Sequence, residues 1–142
     1  EIIVTSAGKN IAPQKIENML KGILFISQGM VYGDKQKYLA ALLTLNEPEV
    51  TKWARAQQIS FRNYEELIKN DKVISMIDSE ITSINVHLAT YETIKKFRIL
   101  PKDLTIEAGE LTPSLKIKRK VCIEKYKSYI EEMYALKEQC EP

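Results

Sequence analysis

Residues 28–45 read QGMVYGDKQKYLAALLTL, and this stretch decides the fold. Two apolar runs, 28–32 and 38–45, flank GDKQK, a short connection rich in turn formers, which is the pattern of a β-hairpin. The second run, YLAALLTL, is apolar at nearly every position instead of alternating. A strand with two apolar faces is covered on both sides, so it belongs at the centre of a sheet.

Working outward toward the N-terminus, IIVTS (2–6) is β-branched and reads as a short strand, and AGKN (7–10) as a turn. A helix then starts near Pro13, favourable in a first helical turn, with Ile16, Met19 and Leu20 on one face and Gly22 closing it. Toward the C-terminus, Asn46, Glu47 and Pro48 open a helix that turns Val50 and Trp53 inward. A short helix covers about 62–69, ending near Asn70. A longer one runs from Asp71 to about Ala89, with Val73, Ile77, Ile81, Ile84 and Leu88 at three- and four-residue steps. Residues 95–100, KKFRIL, read as a strand stopped by Pro101, and LTIEAGELTP (104–113) as an extended or hairpin segment. The last helix spans about 118–136, with Cys122, Tyr126, Tyr129, Ile130 and Met133 on one face. The fold class is α+β, a small mixed sheet with a β-hairpin flanked by helices, in one domain over 1–142.

A chain of 142 residues is long enough to bury a core. The net charge of +2 gives no bulk field for nucleic acid or membrane, so any positive field must come from local clustering. The apolar runs are too short to span a bilayer. No signal peptide opens the chain, and it has no starting methionine, which suggests a fragment of a longer protein. Cys122 falls on an apolar helix face and Cys140 near the end. A buried thiol and an exposed tail thiol are expected, not a disulfide, in a reducing cytosolic setting.

His87 is the only histidine, placed in a helix with no partner at metal spacing, so histidine triads and zinc sites are excluded and no metal site is assigned. The pairs Glu65/Glu66 and Glu131/Glu132 read as solvated surface charge. Two stretches stay ambiguous. TSAGKN (5–10) is a small-residue turn ahead of a helix. That geometry can admit a phosphate or a ligand close to backbone, but neither GxxxxGK[ST] nor GxGxxG is present. GELTPSLKIKRK (109–120) places Lys116, Lys118, Arg119 and Lys120 where loop becomes helix, an end at which the macrodipole disfavours cations. Surface charge, a phosphate clamp and a catalytic lysine all fit it, and so does a stand-alone module binding nucleic acid or an anionic membrane surface.

Taken together, EIIVTSAGKNIAPQKIE (1–17) and GELTPSLKIKRKVCIEKY (109–126) resemble the opening and closing motifs of the small C-terminal domain of AMP-forming acyl-CoA synthetases. QGMVYGDKQKYLAALLTL (28–45) and INVHLATYETIKKFRIL (84–100) resemble the long-chain fatty acyl-CoA synthetase branch. The four stretches lie in register over essentially the whole chain.

The resemblance implies a mobile lid, cut at the interdomain hinge, whose partner is its own N-terminal adenylation domain. That absent domain would hold most of the ATP, Mg2+ and fatty-acid sites. The full enzyme joins a fatty acid to ATP, giving acyl-adenylate and pyrophosphate, and then passes the acyl group to CoA, releasing AMP. Lys116 matches the catalytic lysine of adenylation. The usual glycine before it is replaced by Leu115, as is normal in the long-chain branch. Lys118, Arg119 and Lys120 match supporting basic residues. Ser6, Ala7, Gly8 and Lys9 match the loop lining the pantetheine channel of CoA. Glu17 matches a motif glutamate with a structural hydrogen-bonding role. The implied partners are these small molecules and no nucleic acid. The implied location is cytoplasmic, and a fatty-acid substrate is compatible with peripheral contact with a membrane.

Overall fold

The structure is a computed structural model that describes the backbone of residues 1–140 and the side chains of residues 1–135. The hairpin is its centre. Strand β3 (Ile26–Tyr32) pairs antiparallel with β4 (Leu39–Leu45), from Tyr32 opposite Ala40 to Ile26 opposite Leu45. β4 pairs on its other edge with the parallel strand β5 (Ile94–Ile99), giving a mixed sheet in the order β3-β4-β5.

All seven residues of β4 are buried, and their alternation divides the interior in two. Leu39, Ala41, Leu43 and Leu45 face one cluster, with Ile16 and Leu20 of α1 (Pro13–Lys21) and Val50 of α2 (Glu47–Ala56). Leu67 of α3 (Tyr64–Lys69) and Val73, Ile77 and Ile81 of α4 (Asp71–Asn85) complete it. Ala40 and Leu42 face the opposite cluster, formed with Cys122 of α5 (Arg119–Lys125) and Tyr126, Ile130 and Met133. The last two belong to α6 (Lys127–Cys140). Helices therefore cover both faces of the sheet.

Several expected boundaries move, each for a local reason. The first strand is only Ile3–Val4 (β1), and it folds back on a short strand the sequence did not signal, Asn10–Ile11 (β2). Helix α4 ends at Asn85, four residues before the expected Ala89. The Asn85 side chain is taken up at the start of β5, donating to the Ile94 carbonyl and accepting its N–H, both at 2.9 Å. His87 is consequently in an exposed turn after the helix and not within it, and a single 3-10 turn at Thr90–Glu92 follows.

The expected final helix is two helices that break at Tyr126, whose φ of −107° and ψ of 23° leave the helical region. The segment 104–113 is mostly turn, reversed at Gly109 with φ +76°, and only Leu111 bridges to Ile117. Cys122 is a buried free thiol, and burial, then the nearby Glu110 carboxylate, pushes its pKa up to about 11. The Cys140 side chain lies outside the described residues.

Candidate functional site

The two stretches left ambiguous by composition form the same structure twice. In Thr5–Lys9 the Thr5 N–H donates to the Lys9 carbonyl (3.0 Å) and the Gly8 N–H donates to the Thr5 carbonyl (2.9 Å). The Thr5 hydroxyl accepts the Lys9 N–H (3.1 Å), and Gly8 is left-handed at φ +82°. In Thr112–Lys116 the Thr112 N–H donates to the Lys116 carbonyl and the Leu115 N–H to the Thr112 carbonyl, both at 2.8 Å. The Thr112 hydroxyl accepts the Lys116 N–H (3.0 Å), and Leu115 is left-handed at φ +66°. Each is a three-residue hairpin loop, a tight turn followed by one left-handed residue. Each opens on a threonine that caps its own loop and closes on a lysine.

The flanking pairs also correspond, antiparallel in both cases: Val4 opposite Asn10 and Leu111 opposite Ile117. TSAGK and TPSLK share only the threonine and the lysine, and those two positions carry the turn. The sequence signal of this likeness is a threonine four residues before a lysine, with an apolar residue, Val4 or Leu111, ahead of each threonine.

Each turn is fastened differently. The Gly8 turn rests on the β3–β4 connection, where the Ser6 N–H donates to the Gln36 carbonyl and the Lys35 N–H to the Val4 carbonyl. Ser6, Ala7, Gly8 and Lys9 are all exposed, and the Lys9 ammonium lies 5.3 Å from the centre of the Tyr91 ring. A β-carbon on Gly8 would meet nothing within 4 Å inside this chain, so the demand for glycine here is conformational.

The Lys116 turn is fastened at its base by two buried carboxylates. Glu110, 1% exposed, accepts from Lys125 Nζ at 2.8 Å, from the Thr105 N–H at 3.0 Å and from the Tyr126 hydroxyl. Burial raises its pKa, but the bonds from Lys125, Tyr126 and Thr105 outweigh that and leave it below the usual carboxylate value. Glu17, 9% exposed at its side chain, takes a two-pronged ion pair from Arg119, with both N–O distances 2.8 Å, and also accepts the Val31 N–H at 2.8 Å.

Arg119 is heavily committed, since it also donates to the Val31 carbonyl and to Glu1, so that four of its five N–H donors are taken. Burial pulls the Arg119 pKa down, yet Glu17 and Glu1 outweigh this and hold it above its ordinary value. Lys116, Lys118 and Lys120 are exposed.

The cluster therefore separates by geometry. Arg119 ties α5 to α1 and β3, and Glu17 takes the hydrogen-bonding role. Lys116 stands at the end of a braced hairpin, beside a polar cleft of about 240 Å3 lined by Gln14, Asn18, Lys21 and Gln28. No hydrogen bond or ion pair among the described residues joins the two turns. Nor is any group of three or more His, Cys, Asp or Glu among them placed to hold a metal ion. No helix among them is long and apolar enough to cross a membrane.

Known proteins resemble this chain in sequence and in fold. A long-chain-fatty-acid–CoA ligase of Mycobacterium tuberculosis is 40% identical over 135 residues, 94% of this chain and 22% of that protein. One of Gallus gallus is 33% identical over 153 aligned residues, 95% of this chain and 20% of that protein. The chain thus spans about a fifth of the length of the curated relatives it matches. Among solved structures, the A-PCP didomain of a carboxylic acid reductase from Segniliparus rugosus superposes with a TM-score of 0.78 at 22% identity, covering 98% of this chain and 18% of that one. The family described as AMP-binding enzyme C-terminal domain matches residues 1–138, and the chain belongs to it.

Proposed function

We propose that the chain is the C-terminal domain of an AMP-forming long-chain fatty acid–CoA ligase, and that its two hairpin turns serve successive half-reactions. In the first, a carboxylate oxygen of the fatty acid attacks the α-phosphorus of ATP, and the bond to pyrophosphate breaks. Negative charge grows on the phosphoryl oxygens, and the Lys116 ammonium, brought to them by the hairpin, stabilises it. In the second, the CoA sulfur attacks the acyl carbonyl and AMP leaves. The Gly8 turn, with Ser6, Ala7 and Lys9, lines the path of the pantetheine arm.

ATP and the acyl chain bind mainly to an N-terminal adenylation domain of the same enzyme, as does any magnesium, and CoA is the co-substrate. The cytoplasm is the setting, with peripheral approach to the membrane from which the acyl substrate partitions. Lys118 and Lys120 add attraction for phosphates at the mouth of the site.

The observation that carries this reading is the Lys116 hairpin itself. Its base is locked by Glu110 and by the Arg119–Glu17 pair, while its lysine is left exposed. A cation that must reach into another part of the protein is best mounted on a short rigid arm, because ordering it on arrival would cost entropy. The test is Lys116→Ala in the full-length enzyme. Fatty-acid-dependent pyrophosphate exchange should fall about 10²- to 10³-fold, the effect of removing one charge-stabilising donor. CoA attack on preformed acyl-adenylate should persist. Undiminished exchange would overturn the assignment.

A further inference from the structure

The likeness of the two turns exposes a difference that the fold of this domain does not account for. At the left-handed position one turn has Gly8 and the other Leu115. Glycine accepts that conformation without penalty, whereas the leucine Cβ crowds the following carbonyl. Of the three non-glycine residues with positive φ among the described residues, Lys35, Gln58 and Leu115, only Leu115 is hydrophobic. It is 53% exposed and belongs to neither hydrophobic cluster, whereas its neighbour Ile117 packs against the second. A side chain that strains its backbone and lies half-exposed at the edge of the polar cleft with Gln14 and Asn18, outside both clusters, adds little to the stability of that domain. Such an outlier points to a demand made elsewhere.

We propose that Leu115 is a docking residue. When the hairpin delivers Lys116, the leucine side chain inserts into an apolar recess on the remainder of the same polypeptide and fixes the reach and direction of the ammonium. The inference rests on the reading of Lys116 given above. Its support is placement. Leu115 precedes Lys116 directly, at the tip of a hairpin whose base is immobilised. On that reading the leucine meets the part of the enzyme outside this domain, which in the relatives makes up about four-fifths of the length. Leu115 is thus a positioning residue, acting through where it holds Lys116.

The experiment compares four variants of the full-length enzyme, Lys116→Ala, Leu115→Gly, Leu115→Ala and Leu115→Met, in pyrophosphate exchange, in thioester formation from preformed acyl-adenylate, and in thermal unfolding. Leu115→Gly and Leu115→Ala should each lower kcat/KM for exchange about 10- to 100-fold, the worth of burying one leucine side chain. Leu115→Met, of similar volume and apolar character, should stay within about threefold of the parent. Thioester formation should be nearly unaffected in all three Leu115 variants. Leu115→Gly should melt no lower than the parent, which separates a lost contact from a lost fold.

If Lys116→Ala abolishes exchange while Leu115→Gly and Leu115→Ala match the parent, the docking role is refuted and the reading of Lys116 stands. A defect confined to Leu115→Gly would mean that only the stiffness of the turn matters, which also refutes docking. If Lys116→Ala leaves exchange intact, both fall together.

Discussion

At the residue scale, the twin turns make opposite expectations for two small substitutions. Gly8→Ala places a Cβ at φ +82° with no contact to compensate, so it should destabilise the 142-residue chain by about 1 kcal/mol. Leu115→Gly removes a similar penalty but loosens the unfolded chain, an entropic cost of about 0.4–1 kcal/mol, so its net effect should lie near zero or be slightly stabilising. Urea unfolding of the two variants against the parent measures both. Equal losses in the two would show that the turns do not share a conformation. The lysines and glycines of these stretches were legible in the sequence as turn chemistry. That Leu115 occupies a glycine's conformation was not, because leucine carries no turn signal and the geometry is imposed by Thr112 across the loop. Gly8 and Leu115 look unrelated until their hydrogen bonds are compared.

At the scale of elements, the join between α1, β3 and α5 depends on one arginine. The Arg119 side chain is 13% exposed and that of Glu17 is 9% exposed, so neither charge has water to fall back on. Truncating one partner of such a pair strands the other, and Arg119→Met or Glu17→Gln should each cost about 3–5 kcal/mol. Arg119→Lys should also be costly, since an ammonium cannot supply the parallel bonds that the guanidinium makes to both Glu17 oxygens. Replacing both partners by apolar residues of similar shape should cost less than the sum of the single changes, a coupling that a double-mutant cycle in urea measures. Additive losses would mean that Arg119 and Glu17 act separately. Arg119 read from sequence as one cation among four in a basic cluster. Nothing local distinguished it from Lys118 or Lys120, because its partner lies 102 residues away. A long-range ion pair leaves no trace in spacing along the chain.

At the scale of the whole molecule, what was legible follows from layers. β4 announced itself as central because both of its faces are apolar, and the helices announced their buried faces by period. The ends of elements did not. Helix α4 stops where Asn85 is captured by β5, and the last helix breaks at Tyr126, whose hydroxyl is held by Glu110. In both cases a tertiary hydrogen bond overrides a continuous helical pattern. Glu110 has the widest reach of these contacts, joining the turn after β5, the base of the Lys116 hairpin and α5.

Its depressed pKa fixes the sign of a pH dependence. A carboxylate more acidic when folded than when unfolded contributes stability above the ordinary carboxylate value, about 4.3, and loses it as pH falls through the lower folded value. Glu110→Gln should therefore be destabilised at pH 7, by about 1–3 kcal/mol for the weakened buried bonds to Lys125 and Tyr126. As the pH is lowered below about 4.3, the parent should lose stability faster than the variant, and the two urea midpoints should converge. Midpoints that stay parallel down to pH 3 would mean that the Glu110 carboxylate is not what ionises there. The base of the hairpin would then be held by packing of Leu111 and Cys122 instead of by charge. Under the role proposed for Lys116 the same titration reports on the site, because a hairpin whose base has let go could no longer aim that lysine.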